Sequence, residues 1–172
     1  PALDALLQRA ARAVGGHRTF AFGAGFWPAL ASGGEPDGVE AWPRTQAWAR
    51  HARRVSARGV FDRDMLLVPI CGAAGRWCLA AVLNPASVAQ SGSGTPSIVF
   101  CNPCSHDRVT QGQALHFLRG FLAREWAHVV GGDYDTERFK AQSIHGEIAR
   151  PEDSGVYVLE LALQLLRRQR AS

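Results

Sequence analysis

Residues 64–71 read DMLLVPIC and residues 76–83 read RWCLAAVL. Within them, residues 65–71 and 77–83 are two short apolar runs, and only the glycine-containing segment 72–76 separates these runs. Apolar runs of this length between turn residues are typical of buried strands, and the short spacing predicts that the two strands are neighbours. A third run, IVFC at residues 98–101, predicts another strand. The three runs predict a small sheet at the centre of the fold.

Helical patterns surround these strands. The predicted helices span residues 2–14, 44–58, 110–127 and 154–168. The last helix follows Asp153, a good N-cap, and its apolar residues cover most of its circumference, so we expect it to be buried. Residues 19–31 predict a short helix or turn packed on the core, and residues 139–149 predict an extended segment or a short strand. This order predicts one α+β domain over residues 1–172, with a small central sheet flanked by helices.

Composition excludes several classes of protein. The chain has 172 residues, of which 47% are hydrophobic and 20% charged, which are ordinary values for a globular domain. No apolar run approaches the ~18 residues of a membrane helix, so we expect no membrane contact. A net charge of +4 without a phosphate-binding glycine motif does not predict a nucleic-acid partner. Four cysteines are too few for a disulfide scaffold, which favours a reducing, intracellular setting.

The order of the motifs resembles the sentrin/SUMO-specific cysteine proteases, which have a papain-like fold. In that family an aromatic segment precedes D-x-L-L-V-P-I and H-W-x-L-A-V-V, and Y-Y-D-S and Q-x-x-x-x-D-C-G-x-F follow. The matching segments here are 20–26 (FAFGAGF), 64–70 (DMLLVPI), 76–82 (RWCLAAV), 98–102 (IVFCN) and 153–157 (DSGVY). The resemblance covers residues 17–166. The family's W-L-x-D motif has no match, so the N-terminal part of the family domain is expected to be missing.

The resemblance implies that all four catalytic groups of the family are replaced. The positions of the family's histidine, aspartate, glutamine and cysteine hold Arg76, Asn102, Ile148 and Ser154. An arginine stays protonated and cannot serve as a general base, and a serine without a base is a weak nucleophile. Ile148 offers no donor to an oxyanion. We therefore predict that the chain is not an enzyme.

Three readings of nearby residues stay open. Ser154 by itself could be an engineered Cys→Ser change in an active protease, although the other three replacements are not usual engineered inactivations. His145 could approach Ser154, or Cys104 could pair with His106, and we expect neither to rebuild the site. Arg76 could plug the old cleft through a salt bridge beside Asn102, with Glu147 or Asp153 as its partner.

A metal site is also considered. Cys101, Cys104 and His106 have the spacing of half a metal site. A second Cys/His pair at the usual spacing is absent from the sequence, so we expect no metal and no cofactor.

Other residues are candidates for binding a partner. The resemblance implies that Trp77 keeps one wall of the tunnel that holds a modifier's tail, and that Phe20 lies on the modifier-binding face. The basic stretch with Arg50, Arg53 and Arg54 offers a surface to an acidic partner.

Three functions follow as hypotheses. The first is a pseudoprotease that serves as a protein–protein interaction or scaffold module within a larger complex. The second is a reader that binds SUMO or another ubiquitin-like modifier without cleaving it. The third is an active hydrolase in which Ser154 is a variant or engineered nucleophile. The resemblance also implies residence in the nucleus.

Overall fold

The computed structural model describes residues 2–32, 41–72, 75–89, 94–103, 111–146 and 150–171. The helices are α1 (Ala2–Val14), α2 (Phe26–Ala31), α3 (Ala41–Arg53), α4 (Gln111–Val129) and α5 (Ser154–Ala171). The strands are β1 (Thr19–Ala21), β2 (Met65–Cys71), β3 (Trp77–Leu83), β4 (Ser97–Asn102) and β5 (Lys140–His145). The α+β fold with a central sheet flanked by helices is confirmed.

The five strands form one mixed sheet in the order β1-β2-β3-β4-β5. The central strands β2, β3 and β4 pair antiparallel, whereas β1 and β5 are added in parallel at the two edges. In the β2–β3 hairpin Met65 lies opposite Leu83 and Cys71 lies opposite Trp77. The bounds of both strands agree with the sequence prediction, because each apolar run is long enough for one buried strand.

Helices cover both faces of the sheet, and each face has its own apolar cluster. Side chains alternate along a strand, so Leu66 and Val68 enter the cluster under α2, α3 and α4. Met65 and Leu67 point to the opposite face, where α1 and α5 pack. The fold is therefore a three-layer arrangement, helix–sheet–helix, with the sheet buried in the middle.

Two sequence predictions need correction. Residues 19–31 contain the edge strand β1 before the short helix α2, because the three residues of β1 are too few to give a strand pattern. Helix α5 is buried on one face only. That face repeats every fourth residue at Ser154, Val158, Ala162 and Leu166, while Val156 is 71% exposed. The sheet and α1 cover one side of the helix, and nothing in the described part of the chain covers the other.

Other bounds differ by a few residues. The basic helix α3 begins and ends earlier than predicted, at Ala41–Arg53, and β5 covers only part of the predicted extended segment. Among the described residues, no helix is long and apolar enough to cross a membrane.

Candidate functional site

The predicted catalytic positions meet where β3 begins, β4 ends and α5 begins. The main-chain N–H of Trp77 donates a hydrogen bond to Oγ of Ser154 over 3.0 Å. The thiol of Cys78 donates to Oδ1 of Asn102 over 3.5 Å. Arg76 directly precedes these two β3 residues. The fold therefore brings Arg76, Asn102 and Ser154 to one place, and Ile148 lies outside the described residues.

The β2–β3 turn determines where Arg76 lies. Its carbonyl accepts a hydrogen bond from the N–H of Gly72 over 2.7 Å, which closes the hairpin beyond the Cys71–Trp77 pair. Gly75 has a φ of +72°, a conformation that glycine adopts without steric cost. Arg76 follows at the mouth of the site and is half-buried.

The side chain of Ser154 is buried and hydrogen-bonded to the main chain, as is typical of a residue with a structural role. Ser154 opens α5, yet its side chain is 0% exposed and points to the start of β3. Its oxygen accepts a hydrogen bond from the main-chain N–H of Trp77, a group that cannot act as a base. A nucleophilic hydroxyl instead has to donate its proton to a base within hydrogen-bond reach.

His145 does not provide that base. It lies opposite Asn102 in the β4–β5 register, but its imidazole is exposed and its Nε2 lies 3.0 Å from Oγ of Ser143. The alternative in which His145 activates Ser154 is therefore wrong for this arrangement. The other alternative, Cys104 with His106, lies outside the described residues.

Arg76 does not form the expected plug with Asp153. Among the described residues no carboxylate lies within ion-pair distance of the Arg76 guanidinium, and Asp153 is exposed on the turn before α5. The other proposed partner, Glu147, lies outside the described residues.

We expect Arg76→Ala to change the free energy of unfolding by less than about 0.5 kcal/mol, as for other surface substitutions without a partner. Chemical denaturation of both proteins measures the difference. Asp153→Asn is the matched control, since it removes the charge of an Arg76–Asp153 pair but retains a residue that can cap α5. A loss well above this size in Arg76→Ala would restore the plug hypothesis.

Trp77 lies beside the start of α5. Its Cδ1 lies only 3.4 Å from where a Cβ at Gly155 would lie, and the side chain of Leu3 is close to the same point. The indole is half-buried and packs against the cluster under α1 and α5. Trp77 is thus neither fully exposed nor fully buried, and part of its surface remains open to a partner.

The residues predicted to bind a partner have different surroundings. Phe20 is half-buried, edge-on to Phe22 with the ring centroids 5.0 Å apart. Arg50 and Arg54 are exposed on α3 and the turn that follows. Arg53 instead points inward, where its Nη1 lies 3.0 Å from Oε1 of Glu125. Arg53 is therefore half-buried by its ion pair, and Arg50 and Arg54 make up the more exposed part of the basic surface.

Glu125 is a buried charged residue that was not predicted from the sequence. This α4 carboxylate is 0% exposed, and it also accepts a hydrogen bond from Gln46. A signal was present, because Glu125 falls among the inward-facing residues Leu118, Phe121 and Leu122 at helical spacing. A buried acid at such a position requires a cation from another element, and Arg53 on α3 supplies it.

Cys101, the first residue of the predicted metal half-site, is buried in β4. Burial raises the pKa of its thiol to about 12, so the thiolate that a metal would require is disfavoured. Within the described ranges, no group of three or more His, Cys, Asp or Glu could hold a metal ion. Cys104 and His106 lie outside those ranges.

The family can now be identified. The model of the Ulp1 protease family, C-terminal catalytic domain, matches residues 30–172. The chain belongs to the Ulp1 protease family. The predicted resemblance to SUMO-specific proteases is thereby confirmed at the level of family and fold. No curated protein matches the sequence.

Solved structures of Ulp1-type proteases have the same fold. A de-sumoylating protease matches with a TM-score of 0.71 at 14% identity, over 95% of this chain and 60% of that chain. The Ulp1 protease domain in complex with Smt3, the yeast orthologue of SUMO, matches with a TM-score of 0.65 at 15% identity, over 96% and 65%. The Xanthomonas campestris effector XopD bound to ubiquitin matches with a TM-score of 0.57 at 16% identity, over 98% and 74%. The chain thus spans less than two thirds of the first two proteins.

Proposed function

We propose that this Ulp1-family domain is a pseudoprotease that serves as a protein–protein interaction or scaffold module within a larger protein or complex. The observation that carries the proposal is the burial and hydrogen bonding of Ser154, the residue at the position of the family's nucleophilic cysteine. Its side chain is fully buried and its oxygen accepts a hydrogen bond from the Trp77 amide.

The neighbouring groups support the same conclusion. Arg76 cannot accept a proton, and the amide of Asn102 cannot neutralise an imidazolium as a carboxylate does. The remaining donors to an oxyanion are main-chain N–H groups at the start of α5. Loss of a single side-chain donor from an oxyanion hole costs ~10²–10³ in rate, and the replaced base adds to that loss.

A cleavage assay tests the loss of activity. SUMO and ubiquitin, each with a C-terminal aminomethylcoumarin, are incubated with the domain, and an active Ulp1 protease serves as positive control. We expect no release of coumarin by the native chain or by Ser154→Cys, because restoring the thiol alone leaves it without a base. Release by the native chain that disappears in Ser154→Ala would overturn the proposal and favour an active hydrolase.

A second candidate is a non-cleaving reader of a ubiquitin-like modifier. The specific observation is the half-open indole of Trp77 at the cleft, at the position where the family resemblance implies a tunnel wall. Two proteins of the same fold are solved with a modifier bound, one with Smt3 and one with ubiquitin.

Calorimetric titration with mature SUMO and with ubiquitin separates the two candidates. A reader is supported if Trp77→Ala weakens binding and Trp42→Ala, a change of another half-buried tryptophan on α3, leaves it intact. If neither modifier gives a measurable heat of binding, the result supports a scaffold that binds another partner. A nuclear location is part of the proposal, and fluorescence microscopy of the tagged protein tests it.

A further inference from the structure

The edge strand β1 has a free side. The N–H of Phe22 donates to the carbonyl of Leu67, and the carbonyl of Arg18 accepts from the N–H of Asp64, so the residues that directly precede and follow β1 both bond to the β2 side. The main-chain groups of Thr19 and Ala21 consequently face away from β2. No strand of the described part of the chain pairs with that side. Such an edge is a template for an added strand.

A groove follows this edge. It has a volume of about 720 Å³ and lies between α1 on one face of the sheet and α3 on the other. Phe20, Ala21 and Trp48 give it an apolar floor and wall. The groove is suited to an extended chain. Side chains alternate along a strand, so those of an added strand would contact α1 on one face of the sheet and α3 on the other.

The groove is basic. Its lining includes Arg12, His17, His51 and Arg63, and no Asp or Glu occurs among the described lining residues. Exposed Arg50 and Arg54 extend the basic surface along α3, where a shallower depression shares His51 with the groove.

Arg63 is the most unusual member. It is 7% exposed, and its guanidinium donates to the carbonyl of His17, while its buried Nε has no hydrogen-bond partner among the described residues. No described carboxylate forms an ion pair with it. A buried cation without a counterion is costly, and an acidic group entering the groove would remove that cost.

We propose that the groove binds an acidic protein segment in extended conformation, which adds to β1 as a sixth strand and directs a carboxylate to Arg63. The main-chain donors and acceptors of Thr19 and Ala21 that face away from β2 favour a polypeptide. A phosphate or a nucleic acid lacks the alternating N–H and C=O groups that would pair with them. The groove is two strands away from β3, so this proposal does not depend on whether the cleft at Ser154 is inactive.

Fluorescence anisotropy with three labelled hexapeptides tests the proposal without changing the protein. The probe alternates valine and glutamate, and the second peptide alternates valine and lysine. The third is the probe with two N-methylated amides on one edge, which removes the donors needed for strand pairing. We expect the probe to bind, the lysine peptide not to bind, and the N-methylated peptide to bind about tenfold or more weakly.

Protein variants locate the site. Ala21→Pro removes the outward N–H of β1 and should weaken probe binding about fivefold, whereas Ala21→Ser retains it and should not. Arg12→Glu should weaken binding in a salt-dependent manner, and Arg167→Glu, an equally exposed charge reversal on α5, should not. Thermal melting confirms that each variant is folded.

Several results would overturn the proposal. The first is no binding of the probe at millimolar concentration. The second is equal binding of the N-methylated peptide, or of Ala21→Pro, which would indicate a site that attracts anions by charge alone. The third is displacement of the probe by inorganic phosphate or by single-stranded DNA at lower concentration than by unlabelled probe.

Discussion

Replacing Arg53 with alanine is expected to lower the free energy of unfolding by about 3–5 kcal/mol, because it leaves a buried carboxylate without its counterion. The carboxylate is Glu125 on α4, which is 0% exposed and lies 3.0 Å from Nη1 of Arg53. Gln46 cannot compensate, since its amide already bridges the pair: Nε2 donates to Glu125, and Oε1 accepts from Arg53. Urea denaturation followed by circular dichroism measures the loss.

Two variants show whether the loss has this cause. Arg50→Ala removes an exposed arginine from the same helix and should change the free energy of unfolding by less than about 0.5 kcal/mol. Arg53→Met combined with Glu125→Leu removes both charges and should recover most of the stability lost in Arg53→Ala. If the double variant is as unstable as Arg53→Ala, the contribution of Arg53 lies in packing and not in the ion pair.

Replacing Phe26 with alanine is expected to cost about 3–5 kcal/mol of stability, the usual range for removing a buried phenylalanine. Phe26 is 0% exposed and stacks on Phe22 with the ring centroids 4.0 Å apart. It also meets Phe121 and Trp48 edge-on, so one side chain joins α2, α3, α4 and the residue that follows β1. Its removal would leave a cavity lined by four separate segments of the chain, which limits how far the site can collapse.

Calorimetry of thermal unfolding measures this effect, with Phe26→Leu as a milder variant that retains most of the apolar volume and should cost much less. Val156→Ala is the control for an apolar residue outside the core, since Val156 is 71% exposed. A loss below about 1 kcal/mol in Phe26→Ala would mean that the aromatic cluster repacks around the cavity.

The central hairpin and the first helix could be predicted from the sequence because their signals are local. Strands β2 and β3 are continuous apolar runs of strand length, and α1 has an apolar stripe followed by glycine. The family motifs also predicted that Arg76, Asn102 and Ser154 would share one place. The edge strand β1 could not be predicted, because the pairing of Phe20 with Leu66 across a long stretch of chain defines it.

The apolar pattern of the sheet, the family and the residues at the predicted catalytic positions can all be read from the sequence. Which polar residues are buried, and which partners they find, depends on the folded structure. Arg50, Arg53 and Arg54 look alike in the sequence, yet Arg53 alone turns inward to Glu125. Ser154 and Arg63 are likewise residue types that usually lie on the surface, yet Ser154 is buried against β3 and Arg63 is buried near the edge of β1. Burial and pairing depend on contacts between distant segments, and these arise only when the chain has folded.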